Sequence, residues 1–297
     1  MKIKLLKIIL VLVTCNALAE DLRIEYAAGK ELTKLADPAI IESSGLAVSR
    51  IKPGVFWTHN DSGDKARIFA FDKTGKALAT ISISKVFAWD WEDMASFKLK
   101  NKPMLIIGDV GDNAPIRKNC TLYVIPEPKL NGRTMKKGKV RPVVQILFKY
   151  EDGAQNCESI AVDPSDQTIY LISKEGGTTC QVYALPWPKR KKSKTVHIAK
   201  IIAKLSIPTT TAMDISPDGL RAIVLTYGPA YEYVRTKNQT WADAFKKPGR
   251  MIKMPARAQG ESICYGADGK TLYLTSECAG KNSKNPSPLL EIPVLKK

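Results

Sequence analysis

Five short stretches of this 297-residue chain begin with an oxygen-bearing side chain and run straight into an apolar segment. They are Ser44 before Gly45 to Val48, Glu92 before Asp93 to Ser96, Glu158 before Ser159 to Val162, Thr211 before Ala212 to Ile215, and Glu261 before Ser262 to Tyr265. If these starts converge, three carboxylates within a few ångström of one another need protons or a cation to offset their repulsion. Carboxylate and hydroxyl oxygens are hard donors, and such a set suits Ca²⁺ better than softer metals. Glu42, two residues before Ser44, is an alternative first member, and acids at strand starts can instead bond neighbouring backbone amides.

A second polar set follows the apolar run that each stretch leads to. His59-Asn60-Asp61-Ser62-Gly63-Asp64 resembles Gly108-Asp109-Val110-Gly111-Asp112-Asn113, and the later counterparts are Lys174-Glu175, Thr226-Tyr227 and Ser276-Glu277. Asp, Asn and Gly in such places also serve as plain turn formers. Chemically, Asp61, Asp109 or Glu277 could position a water, while Arg67, Arg117 and Lys174, with Asn60 and Tyr227, could hold an anion. Neutralising Asp61 or Asp109 on polar loop tips is expected to leave stability nearly unchanged. With only His59 and His197 in the chain and no cysteine pair at metal-finger spacing, a zinc site or a Ser-His-Asp triad has little to be built from.

The elements that must position these residues repeat. Each stretch leads through a polar turn to a second apolar run: Val55 to Asp61, Met104 to Asp109, Ile169 to Ile172, Ala222 to Tyr227 and Leu272 to Glu277. The five starts are 48, 66, 53 and 50 residues apart. Third strands are expected at Ile68 to Asp72, Thr121 to Pro126, Gln181 to Leu185, Ala230 to Val234 and Leu289 to Pro293, and fourth strands at Ala77 to Ser84, Val143 to Tyr150, Val196 to Leu205 and Arg250 to Met254. The fifth repeat lacks a fourth strand, and Leu22 to Leu35 can supply it. The expectation is an all-β chain: a five-bladed β-propeller of four-stranded antiparallel blades, closed by the N-terminal strand. The spacer Lys129 to Arg141 reads as a loop. Cys157 and Cys180 would lie on one face of repeat three and form a candidate disulfide.

Residues 1–19 read as an export signal, with Lys2, Lys4 and Lys7 before the apolar Ile8 to Val13 and a small-x-small cleavage site at Ala17-Leu18-Ala19. Residues 20–297 then form one domain, expected to be monomeric, with no membrane span and a secreted or periplasmic location. The full chain carries a net charge of +17, and removing the three signal lysines leaves +14. That surplus fits a small anionic, phosphorylated ligand or an anionic envelope partner. The densest basic run, Lys189 to Lys194, has no interleaved aromatics, which speaks against nucleic acid.

The series ESSGLAVS, THNDSGD, DWEDMA, IGDVGDN, CESIAVDP, TAMDISPDG, LTYGPAYEY and GESICYGADG resembles a group of exported bacterial β-propeller proteins, similar to esterase-like phytase domains. The order Ser, Glu, Glu, Thr, Glu at the strand starts resembles the calcium-activated nucleotidase (apyrase) propeller, which holds one axial Ca²⁺ with a Ser, Glu, Glu, Ser, Glu set. The resemblance implies Ca²⁺ on Ser44, Glu92, Glu158, Thr211 and Glu261, with Thr211 as the departure. Two functions stay open: a metal-dependent hydrolase of phosphate esters or anhydrides, and a non-catalytic binding protein with a structural Ca²⁺.

Overall fold

The computed structural model describes residues 22–130, 136–189, 195–277 and 285–296. The signal expected at 1–19, most of the basic run Lys189 to Lys194, and Cys278 lie outside the described residues. Among the described residues, nearly all of the regular structure is β-strand. A strand β1 (Lys30–Lys34) precedes β2 (Ser43–Val48), β3 (Val55–Asn60), β4 (Arg67–Asp72) and β5 (Ala77–Ile83). The second repeat holds β6 (Trp91–Leu99), β7 (Lys102–Asp109), β8 (Cys120–Pro126), β9 (Lys136–Val140) and β10 (Val144–Tyr150). The third holds β11 (Cys157–Val162), β12 (Ile169–Ser173), β13 (Cys180–Leu185) and β14 (His197–Leu205). The fourth holds β15 (Thr210–Ile215), β16 (Arg221–Thr226), β17 (Ala230–Val234), a helix α1 (Trp241–Phe245) and β18 (Arg250–Ile252), and the fifth β19 (Gln259–Tyr265), β20 (Leu272–Glu277) and β21 (Pro288–Ile292).

The local chemistry of these hairpins is plain. In the turns after β15 and β19, Gly219 and Gly269 take φ of 71° and 67°, a left-handed conformation open to glycine without strain. Asp218 and Asp268 accept from the amides of Leu220 and Lys270, each at 3.0 Å, and close those turns. Every residue of β2, β11 and β15 is buried, whereas β10 alternates buried and exposed. A strand covered on both faces sits at the centre of a fold, and an alternating one lies nearer its surface. The first strands pack in a cycle, β2 on β6, β6 on β11, β11 on β15, β15 on β19 and β19 on β2. Five apolar clusters fill the space between successive repeats, with Trp57, Trp91 and Trp241 among the largest buried side chains.

The sheet topology corrects the expectation of a five-bladed propeller. The strands join into four sheets of four, eight, four and five strands, ordered β1-β21-β20-β19, β11-β12-β13-β14-β10-β8-β7-β6, β15-β16-β17-β18 and β2-β3-β4-β5-β9. Repeats two and three merge because β10 pairs in parallel with β14, Phe148 to Tyr150 against His197 to Ala199. The spacer read as a loop contributes β9, parallel to β5 over Ala79 to Ile83. Both pairings satisfy edge amides and carbonyls that a separate four-stranded unit would leave open. At the chain's start, β1 runs antiparallel to β21, with Lys30 opposite Glu291.

Helix α1 was not foreseen in the sequence. The Thr240 side chain caps it by accepting from the Asp243 amide, and Trp241 and Phe245 are buried beside Tyr170 and Tyr233.

The disulfide expectation is also corrected. Cys157 and Cys180 are free, buried thiols, the first bonding the carbonyl of Ser159 and the second those of Ile207 and Pro208. Burial pushes the Cys120 and Cys157 thiols up to about 12, so little nucleophilic thiolate exists at neutral pH. The native protein is therefore expected to leave Cys120, Cys157, Cys180 and Cys264 unmodified by a thiol reagent at pH 8, checked by peptide mapping. Labelling of these four before unfolding would contradict the burial.

Candidate metal centre

At the start of every first strand the pairing with its neighbour slips. The shifts fall between Ser43 and Leu46, Trp91 and Met94, Cys157 and Ser159, Thr210 and Ala212, and Gly260 and Ser262. Ser44, Glu92, Glu158, Thr211 and Glu261 each sit inside one of these irregularities. A bulge leaves a residue out of the ladder and re-aims its side chain. All five are buried, between 1% and 5% exposed, and the cycle of first strands brings them to one end of the fold.

Four of the five are engaged within the protein. Ser44 Oγ donates to the Glu92 carbonyl, and Thr211 Oγ1 to the Gly260 carbonyl at 2.8 Å, so each hydroxyl ties one first strand to the next. Glu158 Oε2 lies 2.5 Å from Lys174 Nζ, which also donates to the Tyr227 hydroxyl at 2.8 Å. Glu261 accepts from Gln259 Nε2 at 2.6 Å. The fifth differs: no hydrogen bond or ion pair reaches the Glu92 carboxylate among the described residues.

Glu92 has two other neighbours. Carboxylate oxygens of Asp61, Asp90 and Glu92 lie within 4.8 Å of one another. Asp61 comes from the loop after β3, as the sequence reading placed it. Asp90 was missed, although it stands two residues before Glu92 in the quoted DWEDMA stretch, because the repeat alignment took one residue from each strand start. Gly111 closes over them. A methyl group there would fall 2.1 Å from Glu92 Oε1 and 2.5 Å from Asp90 Oδ2, so only glycine leaves room for the two carboxylates.

Electrostatically the site is an acid surplus. Burial, followed by mutual repulsion, holds the Glu92 carboxyl well above its usual range and raises Asp90 to about 6 and Glu277 to about 7. Glu158 rises to about 7 because burial outweighs the Lys174 ammonium beside it, and Glu261 is raised by burial as well. Lys174 is the cation that Glu92, Glu158, Glu261 and Glu277 share. Although burial works against its charge, Glu158 keeps it firmly protonated.

The remaining expected site residues also have partners within the protein. Asp109, 2% exposed, pairs with Arg117 Nη2 at 2.8 Å and accepts from the amides of Trp89 and Asp90. Arg117 also donates to the Gly111 carbonyl at 2.7 Å, fixing the glycine that covers the acids. Arg67 holds Asp64 at 2.8 Å. Asn60 accepts from the amides of Ile41 and Glu42 and donates to the Ala39 carbonyl. Glu42 lies outside β2, so Ser44 is the residue on the inner strand.

Fold and site together define an all-β protein with a buried carboxylate centre at one end of its first strands. No family model matches the chain, and no curated protein matches it. Among solved structures, that of U3-55K aligns with a TM-score of 0.40 at 10% identity, covering 85% of this chain and 68% of that one. A likeness this loose carries no argument about fold or function. Among the described residues, no helix is long and apolar enough to cross a membrane.

Proposed function

We propose that the acidic centre is a divalent-cation site with Asp61, Asp90 and Glu92 as its protein ligands. Carboxylate oxygens suit Ca²⁺. The protein is read as exported from residues 1–19, and its loop-bearing end as the surface that meets an anionic ligand or an envelope partner.

Glu92 carries the reading: 5% exposed, unpaired among the described residues, and grouped with two further acids. An ionised carboxylate buried without a partner is strongly unfavourable, and a nearby cation removes that penalty. Ca²⁺ takes about six to eight oxygens, so three carboxylates leave positions for water or a ligand. A bound ion would offset the acid surplus and polarise a ligand oxygen. Calorimetric titration of metal-stripped protein tests the site. Gly111→Ala, whose added methyl must displace the Glu92 and Asp90 carboxylates, is expected to weaken Ca²⁺ binding at least about tenfold with little change in the stability of metal-free protein. Unchanged affinity in Gly111→Ala would remove these two acids from the ligand set.

Glu277 supports a second reading, hydrolysis of a phosphate ester or anhydride. Its carboxyl, raised to about 7, is partly exposed and accepts no hydrogen bond among the described residues, and a base poised near neutral pH is well matched to activating water. Against it, Arg67, Arg117 and Lys174 each already hold a carboxylate, which leaves no side-chain cation from that set to hold phosphate. A panel of phosphate esters and nucleotides, with and without Ca²⁺, separates the readings. Turnover that falls about 10²- to 10⁴-fold in Glu277→Gln, with melting unchanged, supports the enzyme; no turnover leaves the binding protein.

A further inference from the structure

At the far end of the first strands, away from the carboxylate centre, the turns of all five hairpins surround a cavity of about 680 Å³. That volume is in the range of small-molecule sites. Its floor is apolar, with Val162 and Ile215 buried at 5% and 2% exposure, and Ile51 stands at its rim, 41% exposed. Its charged lining is Arg50, Lys98 and Lys100, and among the described residues no carboxylate lines it.

Arg50 is built in rather than loose. Its Nε donates to Ser96 Oγ at 2.9 Å and its Nη2 to the Ser96 carbonyl at 3.1 Å. Arg67, Arg117, Arg221, Arg235 and Arg250 each hold a carboxylate, whereas Arg50 has none within ion-pair reach among the described residues. The nearby acids have their own donors: Glu127 accepts from Ser49 Oγ, the Arg50 amide and Trp57 Nε1, while Asp214 accepts from the amides of Tyr265 and Ile215 and feels the Arg50 charge without an ion-pair contact. Of four non-glycine residues with positive φ among the described residues, Lys100 (49°), Asn101 (62°) and Gln167 (62°) all line this cavity. Lys100 and Asn101 are the two residues that join β6 to β7, and a two-residue hairpin turn calls for positive φ at both.

We infer that this cavity binds a small amphiphilic anion, its acidic head group on Arg50, Lys98 and Lys100 and its apolar body on Val162, Ile215 and Ile51. The site is separate from the metal centre and independent of it.

Calorimetry with decyl phosphate, decanoate, inorganic phosphate and decyltrimethylammonium, each below its micelle concentration and in chelator, tests the inference. The two alkyl anions are expected to bind at least tenfold more tightly than the alkyl cation and than inorganic phosphate, and their ratio tells a phosphate head from a carboxylate. The exposed pair Lys98→Glu/Lys100→Glu should weaken the alkyl anions at least tenfold with melting unchanged, and Arg50→Gln should do the same if it folds. Gly111→Ala should have no effect, which separates this site from the metal centre. Equal binding of alkyl cation and alkyl anion, no binding, or a double variant that binds as tightly as the parent would overturn it.

Discussion

Metal-stripped protein is expected to melt several degrees higher in millimolar Ca²⁺ than in chelator. A ligand that binds only the folded state stabilises it by about 2.7 kcal/mol at a hundredfold excess over Kd, and for a chain of this size that is roughly 5–10 °C. Glu92→Gln makes the expectation sharper, because it acts in opposite directions on the two states. Without metal, the substitution removes a carboxyl whose ionisation is disfavoured by burial and opposed by Glu158, Asp61 and Asp90, so the variant should melt above the parent. With Ca²⁺, it has lost a ligand and the increment should largely vanish. Glu158→Gln should behave differently, since it strands the Lys174 ammonium among the remaining groups; it should lower melting in chelator. Mg²⁺ should stabilise less than Ca²⁺, because it demands a tighter octahedral shell. Stripped protein indifferent to Ca²⁺, with Glu92→Gln less stable than the parent in chelator, would sink the metal centre.

The second large effect is at Arg117. Arg117→Ala leaves the Asp109 carboxylate buried beside the raised Asp90, without its charge partner. Breaking a buried pair from one side costs about 3–5 kcal/mol, a drop in melting temperature on the order of 10 °C. Asp109→Ala should cost a similar amount, and the double variant less than the sum of the two. This reverses the expectation for Asp109 drawn from its loop-tip sequence; Asp61→Asn in chelator should melt at or above the parent, because Asp61 opposes the ionisation of both Glu92 and Asp90. Denaturant melts of the four proteins decide the matter; a loss below about 1 kcal/mol for Arg117→Ala would mean that the pair is effectively solvated.

The five hairpins were legible in the chain because strand periodicity and turn chemistry are local. Asp218-Gly219 and Asp268-Gly269 close their turns through the same residues that signal them. The repeat spacing placed the five oxygen-bearing residues at equivalent positions, and the structure finds each in the same kind of register slip.

What each of those residues does was decided only by the tertiary structure. A sequence shows that Glu92, Glu158 and Glu261 are equivalent; it does not show that Lys174 reaches Glu158, that Gln259 reaches Glu261, or that among the described residues no hydrogen bond or ion pair reaches the Glu92 carboxylate. Asp109 looks like Asp61 in its loop, yet Arg117 folds back eight residues to bury it. The division into separate blades failed for the same reason. Whether an edge strand such as β10 stays open or finds β14 depends on amides and carbonyls that every residue carries alike, so no side-chain pattern announces the pairing. Side-chain type and period settled the local strands and turns, while long-range charge partners and edge pairings emerged only when distant segments met.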